Sequence, residues 1–165
     1  IPQDSWFALG RLLTAHDGPP TLLSWSGSMF EYLMPLLVMP AFPGSLLAHT
    51  CEAAISRQVA YAHQRNVPWG ISESGYNLTD AAQNYQYRAF GVPGLGLQRG
   101  LSQELVIAPY ASALAFTVLP RAAHANLEAI AAKGGLTRYG FFVAIGSTTA
   151  HPANVATTAI RMSLP

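Results

Sequence analysis

The stretch Ser45–Pro68, SLLAHTCEAAISRQVAYAHQRNVP, carries the clearest structural signal in the chain. Leu47, Cys51, Ala54, Ile55, Val59 and Ala62 recur at spacings of three and four, the period of a helix with one apolar face. Ser45 suits the N-cap, and Asn66-Val67-Pro68 forms a stop, because the residue before a proline is pushed out of the helical region. The spacing predicts a helix over 46–65. Further along, APYASALAFTVLP predicts a second helix from Pro109 to Leu119, and PRAAHANLEAIAAK a third from Pro120 to Lys133. Proline fits the first turn of the third, while Gly134 and Gly135 fit its stop. These two predict an αα-hairpin. No stretch shows sustained period-two alternation between turn residues, so the expected fold class is all-α, built from helical hairpins.

Between these helices Pro68–Gly100, PWGISESGYNLTDAAQNYQYRAFGVPGLGLQRG, has little helical periodicity and is rich in Gly, Asn, Ser, Tyr and Trp. It reads as a long aromatic-rich loop, and a structureless connection of this length is uncommon unless it is functional. The most apolar stretch, Ser28–His49, approaches the length a bilayer needs, but Glu31 sits inside it and Pro35, Pro40 and Pro43 interrupt it. No direct membrane span is expected in this segment.

Composition narrows the function classes. Of 165 residues, 50% are apolar and only 10% charged, against a usual charged share of about 25%. Disorder is excluded, and so sparse a set of charges predicts that much of the surface packs against further protein, as in a fragment of something larger. The net charge of +1 comes from scattered residues with no basic cluster, so nucleic acid is not an expected partner. One cysteine, Cys51, gives no disulfide framework, and five isolated histidines give no metal-ligand spacing, so no metal and no cofactor are expected.

Glu73, in WGISES, stands among Ser72, Ser74, Tyr76 and Asn77, with Trp69, Tyr85, Tyr87 and Phe90 near in sequence. Aromatic faces stack on the C–H faces of sugar rings, amides and hydroxyls bond sugar hydroxyls, and a carboxyl can protonate a glycosidic oxygen or attack an anomeric carbon. The alternative is a solvated or helix-capping acid in a loop. Glu31, in SWSGSMFEYLMP, has an apolar neighbourhood in Trp25, Phe30, Tyr32, Leu33 and Met34. Unless paired, its carboxyl is expected to titrate high, as a general acid does; the alternative is a buried structural carboxylate paired with an arginine such as Arg88.

LLSWSGSMFEYLMPLLVMPAFPGSLL, RQVAYAHQRNVPWGISESGYN, YQYRAFGVPGLGLQRG and ELVIAPYASALA, in that order, resemble the glucoamylase-like middle region of bacterial cyclic β-1,2-glucan synthases. The likeness runs over about residues 21–142, so the chain reads as a fragment, over 1–165, of one such domain. The resemblance implies an (α/α)6 toroid, necessarily incomplete here because twelve helices at about 11 to 12 residues each, plus loops, need roughly 300 residues. It implies transglycosylation on β-1,2-glucan, with the remainder of a larger multidomain synthase as partner, on the cytoplasmic side of the bacterial inner membrane in a membrane-bound parent. It further implies that Glu73 lines the catalytic cleft as acid/base, that Glu31 is a second cleft carboxyl, and that Trp25, Trp69, Tyr76, Asn77, Tyr85, Tyr87 and Arg88 contact glucan.

One departure bears on activity. After RYGF the resemblance implies a stretch of the form YEALDYTP, whereas this chain reads FVAIGSTTAHP, with Val143 in place of an acid and Gly146 in place of an aspartate. Residues 143–165 form a divergent tail. An inactive glucan-binding or structural fragment is the second expectation for the chain.

Overall fold

The computed structural model describes residues 2–15, 18–147, 158 and 159. In chain order the elements are α1 (Asp4–Ala8), β1 (Leu13–Thr14), β2 (Thr21–Leu22), α2 (Met29–Leu33), α3 (Leu46–Arg65), β3 (Ser74–Thr79), β4 (Tyr85–Arg88), β5 (Leu105–Ile107), α4 (Pro109–Leu114), α5 (Pro120–Ile130), β6 (Leu136–Thr137), β7 (Gly140–Phe141), β8 (Ile145–Ser147) and β9 (Thr158–Ala159). Short 3-10 turns follow α2 and α4.

The fold mixes helices with small antiparallel ladders, which overturns the expected all-α class and the helical toroid with it. The strands form the pairs β1–β2, β3–β4 and β6–β7 and the three-stranded sheet β5–β8–β9. They escape the period-two test for physical reasons. Most are two to four residues long, and β5 is buried at all three positions, so it never alternates. β3 and β4 alternate apolar and polar residues only over Tyr76–Thr79 and Tyr85–Arg88, four residues each, too short a run to count as sustained, and Ser74-Gly75 does not extend it.

The region expected to be a loop therefore contains a hairpin. β3 and β4 pair in the register Ser74↔Arg88, Gly75↔Tyr87 and Tyr76↔Gln86, with a register shift before Thr79↔Tyr85. Its tip is an Asx turn: Asp80 Oδ1 accepts from the Ala82 and Asn84 amides at 2.9 and 3.0 Å, and Gln83 sits at φ 65°.

α3 has the bounds its sequence predicts. The Ser45 hydroxyl accepts from the Ala48 amide at 3.2 Å, and Asn66 closes the helix in the left-handed region at φ 56°. Cys51, Ala54, Ile55 and Ala62 face the core, while Leu47 is exposed at the entrance to the helix. α4 and α5 pack on each other as the predicted hairpin, with α5 passing into a wider turn that ends at Gly134, φ 83°. The main core gathers Met29 and Leu33 of α2, Ile55 of α3, and Ile71, Phe90, Val92 and Leu95 from the connecting segments. A smaller cluster of Ile107, Ile130 and Ile145 ties β5 and β8 to α5.

Ser28–His49 contains α2, a 3-10 turn and the start of α3; among the described residues no helix is long and apolar enough to cross a membrane. A broad apolar surface remains exposed in this part of the chain, including Leu37, Val38, Met39, Phe42 and Leu47.

Candidate functional site

Two acids organise the site region, and their surroundings differ. Glu31 occupies the third position of α2, where it completes a capping box with Ser28. Its carboxylate also accepts from Ser24 Oγ at 2.8 Å, Ser26 Oγ at 2.6 Å, and the Ser26 and Ser28 amides at 3.1 Å each. Burial pushes the Glu31 carboxyl up, but the bonds from Ser26, Ser24 and Ser28 outweigh it and hold the group below the usual carboxylate range. The apolar neighbours expected to raise it lose to the serines between them. Arg88 does not reach Glu31; it pairs with Glu104 at 2.5 Å on a partly exposed surface.

The loop wrapped on Glu31 is wedged main chain against main chain into the segment after β4. The Val92, Leu97 and Gln98 amides donate to the carbonyls of Gly27, Ser24 and Trp25 at 3.1, 3.1 and 2.9 Å, and the Ser24 amide donates to Leu95 at 3.0 Å. Contact this close leaves no room for a Cβ: one on Gly91 would lie 1.7 Å from the Ser26 carbonyl oxygen, and one on Gly96 2.5 Å from the Ser26 carbonyl carbon. SWSGS and FGVPGLG are thus two halves of one tertiary joint.

Glu73 is reached by another route. Two buried side-chain amides brace the segment ahead of it. Gln58 on α3, 0% exposed, donates to the Ile71 carbonyl at 2.8 Å and accepts from its amide at 2.9 Å. Asn126 on α5 does the same for Trp69, at 2.8 and 3.0 Å, and its Nδ2 also meets Ser112 Oγ at 2.8 Å. Between them the Gly70 carbonyl accepts from the Ala108 amide at 2.9 Å, and Ile71 bridges Ile107. Ser72 then accepts from the Phe30 amide at 3.0 Å, which brings the Glu73 segment against α2 and places the two acids in one region. Sequence reasoning passed over Gln58 and Asn126, although a lone amide on the apolar stripe of a helix is a signal that it pairs with buried main chain.

At the end of this braced run Tyr87 Oη donates to Glu73 Oε2 at 2.8 Å, and Tyr110 Oη donates to the Glu73 carbonyl at 2.8 Å. Burial, followed by the hydrogen bond and charge of Glu73, pushes the Tyr87 phenol up to about 12. Burial is also the largest cause for Tyr110, whose phenol stands at about 12 despite the opposing bond from Ser72.

The remaining expected contacts divide. Tyr87 and Trp25 are both 66% exposed and available to a ligand. Tyr76 is half-buried and packs edge-on against Phe90 at 5.2 Å. Trp69, 6% exposed, lies in the core, where its main chain is bound by Asn126 and its ring has little surface left for a sugar. Asn77 and Tyr85 lie on β3 and β4, and their side chains are outside the described residues. Ser74 Oγ donates to the Val143 carbonyl at 3.4 Å, so position 143 adjoins the residue after Glu73. Among the described residues no group of three or more His, Cys, Asp or Glu could hold a metal ion.

Comparison with known proteins agrees with the motif reading. Residues 2–162 match a family model described as putative glucoamylase. Over 148 residues the chain is 45% identical to the cyclic β-(1,2)-glucan synthase NdvB of Rhizobium meliloti (strain 1021), an overlap that covers 90% of this chain and 5% of that protein. The chain thus spans about one twentieth of the length of the curated relative it matches.

Proposed function

Since the chain belongs to the glucoamylase-like family found in a cyclic β-(1,2)-glucan synthase, we propose that it is the part of a glucan transglycosylation site that holds β-1,2-glucan and supplies Glu73 as acid/base. The observation that carries this reading is Glu73 at the end of a doubly braced segment, with one carboxylate oxygen held by the exposed Tyr87 at 2.8 Å. A rigid mount and a tyrosine ring beside the acid suit sugar binding and proton transfer at a glycosidic oxygen. In a retaining transfer a second carboxyl attacks the anomeric carbon, the acid protonates the leaving oxygen, and a sugar hydroxyl replaces water as acceptor. Neither a metal nor a cofactor is required by these steps.

A specific observation favours a second reading for the chain by itself, that of a glucan-binding unit without turnover. Glu31, the other expected carboxyl, is held as an anion by five donors and closes the SWSGS loop. Position 143, which adjoins the Glu73 segment through Ser74, is a valine. Such chemistry normally takes two carboxyls about 5 Å apart for retention or about 6.5 to 9.5 Å for inversion, and of Glu31 and Glu73 only Glu73 keeps a carboxylate oxygen without a hydrogen bond among the described residues.

Incubating the purified chain with linear β-1,2-glucan, while following binding, new reducing ends and cyclic product, tests both. Binding that Glu73→Gln weakens, without turnover, is expected of the isolated chain. Cyclic product lost in Glu73→Gln would establish transfer by this chain alone. Absence of binding would remove glucan from the account of this chain.

A further inference from the structure

Tyr110 carries no signal in the sequence beyond its place near the start of a helix, yet its hydroxyl is a link in a run of hydrogen bonds that joins α2 and α4 to the Glu73 segment. The Phe30 amide, on α2, donates to Ser72 Oγ at 3.0 Å; Ser72 Oγ lies 2.8 Å from Tyr110 Oη; and Tyr110 Oη donates to the Glu73 carbonyl at 2.8 Å. The directions follow from proton count. A phenol has one proton, and a carbonyl can only accept, so the Tyr110 proton goes to Glu73 and the Ser72 proton to Tyr110. The chain of bonds therefore runs one way, from the α2 main chain through two hydroxyls to the main chain of Glu73. The Tyr110 ring is set edge-on to Phe30, with centroids 6.3 Å apart and planes at 74°, which fixes the ring independently of its hydroxyl.

At the far end of the same residue Tyr87 holds Oε2, while Glu73 Oε1 accepts no hydrogen bond among the described residues. We infer that Tyr110 is a positioning residue for Glu73: by binding its carbonyl it fixes the main chain from which the carboxylate hangs, so that with Oε2 engaged by Tyr87 the oxygen presented to a sugar is Oε1. This rests on the reading of Glu73 as the acid that meets glucan. Tyr110 itself acts through Glu73. Fixing the carbonyl removes main-chain freedom, and the Tyr87 bond removes rotation of the carboxylate; each restraint lowers the ordering cost of binding and narrows the geometry for proton transfer.

The test uses the full chain with carbon-13 at the glutamate carboxyls, the Glu73 signal being identified by its loss in Glu73→Gln, and short linear β-1,2-glucan as the probe. Tyr110→Phe keeps the ring on Phe30 and removes only the hydroxyl. In the free variant the Glu73 signal is expected to move or broaden while the other carboxyl signals stay in place. Glucan binding is expected to weaken about tenfold, in line with one lost hydrogen bond. Combining Tyr110→Phe with Glu73→Gln is expected to weaken binding no further than Glu73→Gln alone, a coupling that a merely structural tyrosine does not produce. Ser72→Ala, which removes the donor to Tyr110, is expected to shift the Glu73 signal in the same direction and serves if Tyr110→Phe does not fold. An unmoved Glu73 signal in both variants, or losses that simply add, would overturn the inference. Failure of the wild-type chain to bind glucan would remove the functional reading, while the Glu73 signal of the free variants would still judge the role of Tyr110.

Discussion

Glu31 and Glu73 sit in the same region of the molecule, joined through the Phe30–Ser72 bond, and do opposite things with their carboxylates. Glu31 is surrounded by three serines and two main-chain amides within five residues on one wedged loop. Glu73 receives one phenol on one oxygen and, among the described residues, no hydrogen bond on the other. A carboxylate saturated with donors is stabilised as an anion and is a poor proton donor; one with a free oxygen and an exposed aromatic neighbour can still meet a substrate. The number of donors aimed at each acid, more than its burial, separates the structural acid from the candidate catalytic one.

The wedge around Glu31 should break first and hardest. Gly91→Ala places a methyl 1.7 Å from the Ser26 carbonyl oxygen, so the joint must open; a loss of about 3 kcal/mol or more in urea unfolding is expected. Gly10→Ala, where among the described residues no heavy atom beyond the two chain neighbours lies within 4 Å of the added methyl, is the control and should stay within about 0.5 kcal/mol. Next in size is Glu31→Gln, which leaves buried serine donors without their anion and should cost about 1 to 3 kcal/mol.

That cost should depend on pH with a defined sign. The Glu31 carboxyl is depressed in the folded chain, so its contribution is present above the unfolded carboxylate value of about 4.3 and is lost as pH falls through the lower folded one. The stability gap between wild type and Glu31→Gln should therefore be full at pH 6 and narrow progressively in acid. A gap that did not change with pH would mean that shape, and not charge, holds the loop.

Glu73→Gln should barely change stability, within about 0.5 kcal/mol, because its carboxylate closes no buried network. It should instead lower the Tyr87 phenol from about 12, since part of that elevation comes from the bond and charge of Glu73; carbon-13 titration of tyrosine follows the change. Arg88→Ala should also have a small effect on stability, at most about 1 kcal/mol, as expected for a partly exposed ion pair with Glu104.

The bounds of α3, its serine cap, its asparagine stop and the pairing of the two helices after Pro109 were legible because each depends on residues a few positions apart. Glu73 was legible as a site candidate for a similar reason: WGISES keeps acid, hydroxyls and aromatics together in one short run. The strands were not, since most are two to four residues long, and even the alternation in β3 and β4 lasts only four residues, too short to stand out from a loop. The glycines at 91 and 96 stood in the sequence without explanation until the close approach of Ser26 and Gly27 supplied one.

The sequence by itself determined the main helices, the sparse charge that leaves so much apolar surface, and the family, because these reside in local periodicity, in composition and in long motifs. Only the tertiary structure decided which acid is saturated and which is open. Those decisions depend on Asn126 meeting Trp69 across 57 residues, on Gln58 meeting Ile71, and on Ser24 meeting Leu95 across the wedge, and contacts between such distant positions leave no periodic trace along the chain.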